Sequence, residues 1–367
     1  MTRPSSHSPT PSGRSSVAAP VCRAEVTEVS LQLIWYVLYV VIIAGYAILD
    51  GFDLGVGMLS LFVAHTDTER RLLLNAIGPV WDGNEVWLVL GGGALFAAFP
   101  LVYASLFSGF YLAMMLVLLV LILRTVAIEF RSKRAGRRWR TCWDWVFAIS
   151  SFGITVLLGV ALGNVIRGVA LDGSGVMDVD LAGLLNPFSL AVAVTAVAMF
   201  SLHGGIFLSQ KVEGDLLGRI TELVPRLMVV FFILMTGLIG WTLLRDETFA
   251  QNYRDRPWIA VFPLLALAAA LLAWRQIRRT RYFTAFLASA TMIATLLCAV
   301  AAGLYPVMIP SSTDAAFSLT VQNASAADST LTVMLVFAVI GMPFVLLYTA
   351  GVYYFFRGRV RLDDESY

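Results

Sequence analysis

Residues Leu31 to Leu59 read LQLIWYVLYVVIIAGYAILDGFDLGVGML. Residues 31–49 carry no charge and match the roughly 20 apolar residues that a helix needs to cross a bilayer. Asp50 and Asp53 then follow inside the same apolar run, which continues to Ala64. A carboxylate at mid-membrane costs about 3 kcal/mol even on insertion scales. Their i, i+3 spacing puts both on one helix face, one turn apart. Gly51 and Gly55 form G-x-x-x-G and Gly57 adds a small residue, a pattern that lets a second helix approach closely. The stretch therefore predicts a tightly packed membrane helix bearing two acids. Two readings of those acids stay open. They sit near the span's end and pair with arginines at headgroup level, or they face a wet cavity and handle protons or cations.

Composition extends this reading to the whole chain. Of 367 residues, 59% are hydrophobic and 14% charged, against about a quarter charged in soluble domains. The expected fold class is an all-α polytopic membrane protein. The net charge is +2 and the basic residues are sorted by loop, which speaks against nucleic-acid binding. Cys22, Cys142 and Cys298 form no C-x-x-C or haem-attachment pattern. The histidines are His7, His65 and His203, too few for several axial haem ligands, so redox cofactors are expected on another chain.

About nine transmembrane helices are predicted, near 30–64, 84–100, 101–130, 141–166, 185–209, 222–244, 257–274, 282–309 and 330–356. Pro100 breaks the second from the third. Alternate loops hold Arg70 and Arg71, RSKRAGRRWR, Lys211 and Arg219, Arg275 to Arg281, and Arg357 to Arg361. The positive-inside rule makes these cytoplasmic, with the N-terminus outside and the C-terminus inside. Residues 1–27, rich in Ser and Pro, read as a disordered tail or a misplaced start. Residues 28–360 form the transmembrane domain and 361–367 a cytoplasmic tail.

Further acids cluster in GPVWDGNEVWLVLGGGALFAAFP, Gly78 to Pro100. Asp82 and Glu85 repeat the i, i+3 spacing, flanked by Trp81 and Trp87. One reading makes Asp82 an N-cap with Glu85 at N3 and the tryptophans an interfacial belt. The other joins the acids to those of the first span. Gly91–Gly93 suggest a tight crossing or the approach of a lipid-like ligand. Arg124 lies inside the third span, where it needs an acid or an anionic group, with Asp53 and Asp82 as expected partners. Glu129 and Asp144 bracket the basic loop, either as solvated end charges or as the mouth of a proton path. His203 reads as a hydrogen-bonded packing residue.

DGFDLGVGML, DTERRLLLNAIGPVWDGNEVWL, GGALFAAFPLVYA, FRSK, WDW, LLNPF and YPVMIPSS together resemble the second subunit of the cytochrome bd-type ubiquinol/menaquinol oxidases, in consistent order from about 30 to 360. The resemblance implies a nine-helix subunit in a bacterial plasma membrane. It implies that haem b558, haem b595 and haem d belong to subunit I, with quinol and oxygen as substrates of the complex. It also implies a structural quinone in some members, a small accessory subunit and contact with membrane lipids. By position, Asp82 matches the family's proton-path acid; Glu129, Asp144 and Asp53 match acidic positions, and Arg124 the intramembrane arginine. Trp81 and Trp87 are candidates for quinone contact or structural packing. The rival reading is a stand-alone proton-coupled transporter, which needs broken helices and a midplane site. A third is a subunit whose acids only brace Arg124.

Overall fold

The computed structural model describes residues 30–177, 179–245 and 247–362. The expectations for the tail 1–27, with His7 and Cys22, and for residues 363–367 fall outside the described residues. Among those described, the chain is helical apart from one short β-hairpin. The helices are α1 (Leu31–Val63), α2 (Asp67–Ile77), α3 (Trp81–Ala98), α4 (Pro100–Gly109), α5 (Tyr111–Phe130), α6 (Arg137–Arg167), α7 (Leu181–Leu184) and α8 (Pro187–Lys211). They continue with α9 (Gly214–Arg245), α10 (Glu247–Asp255), α11 (Val261–Arg278), α12 (Tyr282–Leu304) and α13 (Asp328–Phe355). Strands β1 (Val307–Ile309) and β2 (Leu319–Thr320) pair antiparallel between α12 and α13.

Eight helices are long and apolar enough to cross a membrane: α1, α5, α6, α8, α9, α11, α12 and α13. This is a multi-pass membrane protein. The second predicted span, α3, runs between the same two ends, with its last residue bonded to Ala326 beside the hairpin (N···O 2.9 Å). Its polar first turn, WDGNE, lowers its hydropathy. Two predicted boundaries need correction. The span expected over 101–130 is divided at Phe110 into α4 and α5, because the chain turns after the small Gly109. The span expected to reach 309 stops at Leu304, where Pro306 lacks the N–H to continue a helix and β1 follows.

Helix α1 is the central element, packing on α3, α6, α8 and α12. Every residue from Asp50 to Ser60 is buried. The glycines make this enclosure. A Cβ on Gly55 would fall on the Phe200 carbonyl and Gly204 of α8, so the two backbones touch. A Cβ on Gly57 would meet Ser151 of α6. The predicted close crossing is therefore present. Of the triple glycine, only Gly91 makes one, against Ile43; Gly92 and Gly93 have open space.

The basic loops gather at one end of the bundle. Arg131 is bonded to Asp144 (Nε···Oδ1 2.5 Å) and Asp67 (Nη2···Oδ1 2.9 Å), Arg70 to Asp144 (2.6 Å) and Arg140 to Asp67 (2.5 Å). The opposite end holds the hairpin, with Val169 bonded to Pro310 (3.0 Å) and Gln32 to Asp328 (2.7 Å). Helices α1 and α13 both begin at the hairpin end.

Helix α2 starts with a capping box. Thr66 accepts from the Glu69 N–H (3.2 Å) and Glu69 accepts from the Thr66 N–H (3.0 Å) and the His65 N–H (2.7 Å). Glu69 also pairs with Arg219 of α9. Partial burial raises the Glu69 carboxyl, but the bonds from Thr66, Arg219 and His65 outweigh it and hold it below the usual carboxylate range. A lowered carboxyl stabilises above its ordinary unfolded value and loses that effect as pH falls through the folded one. Glu69→Gln, which keeps a capping acceptor but removes the charge facing Arg219, is thus expected to lower stability at neutral pH by about 0.5 kcal/mol. The difference from the parent protein should shrink on acidification below the ordinary glutamate range. A gap that stays constant into strong acid would show that the charge on Glu69 contributes nothing.

Candidate functional site

The second half of α1, enclosed on all sides, brings its two acids against α3, α5 and α13. Asp50 and Arg124 are both fully buried and form a two-pronged pair, Nη2···Oδ1 2.6 Å and Nη1···Oδ2 3.0 Å. Arg124 was expected to meet Asp53 or Asp82. It takes Asp50 instead, because Asp53 faces α3 and Asp82 faces outward. Asp53 accepts from the Asn84 side-chain N–H₂ (Nδ2···Oδ2 2.7 Å), and Asn84 in turn accepts from the Tyr353 hydroxyl (2.9 Å). The chain Tyr353–Asn84–Asp53 thus joins α13, α3 and α1.

Four buried polar atoms here have no hydrogen-bond partner within the described residues: Asp53 Oδ1, Glu85 Oε2, the Tyr46 hydroxyl and Arg124 Nε. Glu85 is half-buried and lies in electrostatic range of Arg124 and Asp50 inside and of Asp82 outside. Arg124 neutralises Asp50. Asp53 and Glu85 remain as acids beyond that neutral pair. Each keeps one carboxylate oxygen with no hydrogen-bond partner among the described residues. The arrangement suits groups that hold and release protons.

Asp82 is exposed on α3. The predicted capping role is wrong for it: the N-cap is Val80, with no side-chain cap. The helical period explains the placement. Trp81, Asn84, Trp87, Gly91, Ala94, Leu95 and Ala98 form the buried face. Asp82 falls with Gly83, Val86, Val89, Gly93 and Phe96 on the exposed one. Trp81 and Trp87 are 7% and 6% exposed and so belong to the packed core, not to an interfacial belt. Trp87 fills the space over Gly45 of α1.

Asp144 is buried between Arg131 and Arg70 at the basic end. It is a bridge in an ion network, not the solvated end charge that one reading predicted. Glu129 is half-buried nearby on α5. Sequence reasoning missed Asn84, Tyr353 and Tyr46. The α3 period was the available signal for Asn84, which sits on the tryptophan face. Tyr353 had none, because its contact crosses 269 positions of sequence.

His203 is fully buried, with Nδ1 on Ser289 Oγ (2.7 Å), Nε2 on the Ile48 carbonyl (3.1 Å) and its ring stacked on Phe286. Both ring nitrogens are engaged within the chain, and the ring packs against Phe286 and Phe52. An apolar cavity of about 410 Å³ lies between α1, α3, α5, α6 and α12, lined among others by Tyr36, Tyr39, Gly92 and Met114.

A family model for the cytochrome bd terminal oxidase subunit II matches residues 31–356. The chain belongs to that family. Subunit II of Escherichia coli cytochrome bd-I ubiquinol oxidase is 38% identical over 364 residues, covering 91% of this chain and 96% of the relative. Subunit II of the Bacillus subtilis cytochrome bd ubiquinol oxidase is 35% identical, covering 90% and 97%. The fold is similar to a chain of the bd oxidase from Geobacillus thermodenitrificans, with a TM-score of 0.74 at 18% identity, over 89% of this chain and 98% of that one. As a subunit II, the protein is one component of a bacterial membrane terminal oxidase and works with a subunit I. The stand-alone transporter reading gives way to that membership.

Proposed function

We propose that this chain is the haem-free subunit of a quinol:oxygen oxidoreductase. It braces a haem-bearing subunit I and helps move protons from the basic, cytoplasmic end toward the site of oxygen reduction. The reaction class comes from the names of its relatives. The observation that supports the proton role is the buried cluster, in which Asp53 Oδ1 and Glu85 Oε2 are unpartnered beside the neutral Asp50–Arg124 pair. Asp53 and Glu85 hold protons in this reading. Glu85 connects the interior to Asp82, whose outward face is where subunit I would continue the path. Asp144 and Glu129 stand at the cytoplasmic end, with Asp144 bonded to two arginines. Haem b558, haem b595 and haem d are assigned to subunit I. When bound there they supply the electron transfer and oxygen chemistry; this chain supplies protons and support. The apolar cavity is suited to the tail of a structural quinone, and neither Trp81 nor Trp87 lies on its wall.

Glu85→Gln and Asp82→Asn are each expected to lower quinol oxidase turnover about tenfold or more, with haem content retained, as loss of a positioned proton carrier does. Full turnover in both would remove the proton role. If Asp53→Asn and Asp82→Asn instead lower the yield of assembled complex, while what assembles turns over normally, the acids only brace.

A further inference from the structure

We propose that the cavity between the α2–α3 turn and the segment following α13 is a binding site for a phosphate group at the basic face of the membrane. It has a volume of about 330 Å³ and is lined by Lys211, Arg357, Arg359 and Arg361, with Asn75 on the α2 side. Its apolar wall includes Phe207 and Tyr353. The chain makes this pocket by folding back. Gly358, at φ +103°, turns the segment in a conformation that side chains resist. The Val360 N–H then bonds to the Lys211 carbonyl (2.8 Å), and Lys211 Nζ to the Phe356 carbonyl (2.7 Å).

Charge selects the ligand. Among the described residues the ion pair made by this lining is Arg359 with Glu213 (2.5 Å), which leaves an excess of three positive charges. That field attracts an anion and repels hydronium, so the cavity is unsuited to be the proton entrance. Guanidinium groups match phosphate oxygens in paired, charge-assisted hydrogen bonds. The cavity lies where α8 and α13, two helices long and apolar enough to cross a membrane, both end, and it joins a basic rim to an aromatic wall. That suits the phosphodiester of an anionic lipid, with free phosphate as the other source of the same chemistry. Occupancy has a consequence inside. Tyr353 lines the cavity and also donates to Asn84, which holds Asp53. A bound phosphate therefore steadies the turn of α13 that secures the acid cluster.

The test uses the full-length chain, purified with its copurifying partner and stripped of lipid. Phosphatidylglycerol and inorganic phosphate are titrated separately, with native mass spectrometry and a binding isotherm as readouts. R357Q/R361Q is expected to weaken binding about tenfold, as loss of charge-assisted bonds to phosphate does. R278Q/R279Q removes the same charge at the end of α11 and should change little. Equal weakening by the two pairs would reduce the effect to general surface attraction and overturn the site. Saturable binding of inorganic phosphate that R357Q/R361Q abolishes, without lipid retention, upholds the site and names free phosphate as its source. Asp363, Asp364 and Glu365 follow in the sequence. Binding that emerges only after truncation at Leu362 would assign the cavity to the chain's own carboxylates and overturn the proposal. If the double variant does not assemble, Arg361→Gln alone, at an exposed position, carries the same comparison.

Discussion

Arg124→Gln is expected to destabilise the protein by about 3–5 kcal/mol, the usual effect of removing one partner from a buried ion pair. Arg124 and Asp50 are each fully buried, and both oxygens of Asp50 rest on the guanidinium. Glutamine cannot supply the charge, so Asp50 joins Asp53 and Glu85 as a third uncompensated acid. Asp50 must then take up a proton or the α1–α5 contact must open. The measurement is thermal unfolding of the detergent-solubilised complex, together with its yield in membranes. Asp50→Asn in the Arg124→Gln background should recover most of the loss, because it neutralises the orphaned acid. A double variant no more stable than Arg124→Gln would show that the pair is not what Arg124 stabilises. Arg124→Lys should fall between, since an ammonium keeps the charge but loses the two-pronged geometry.

Gly55→Ala is the second large effect. The added Cβ meets backbone atoms of Phe200 and Gly204, not the movable end of a side chain. Relief requires sliding α8 off α1, and such overpacking costs about 1–3 kcal/mol. Gly55→Leu should prevent assembly of the folded subunit. Gly93→Ala is the control, because nothing lies within contact of a Cβ there. Thermal stability of Gly55→Ala equal to that of Gly93→Ala would contradict the close α1–α8 contact. The effect should extend to the acid cluster, because Asp53 sits two residues before Gly55 on the same helix.

Much of this architecture is legible in residue order. α1 is predicted over 30–64 and observed at Leu31–Val63, because an uninterrupted apolar run has one stable form in hydrocarbon. The G-x-x-x-G contact follows from the same logic: small residues recur on the face where backbones meet. The breaks at Phe110 and Leu304 were harder to read. Apolarity continues through both, so hydropathy does not register a turn made by local geometry. The acids Asp50, Asp53 and Glu85 and the base Arg124 were all visible as misfits in apolar surroundings. Their pairing was not.

The sequence by itself determined that this is a polytopic membrane protein, which of its residues are too polar for lipid, and which family its motifs resemble. Those properties are local, set by the transfer energy of each side chain and by short spacing. Tertiary structure decided that Arg124 takes Asp50, that Asn84 and Tyr353 secure Asp53, and that Asp82 faces outward. These depend on the rotation of α3, α5 and α13 about their axes as they pack on α1. A helix rotates by about 100° per residue, so one position separates Trp81 in the core from Asp82 on the surface.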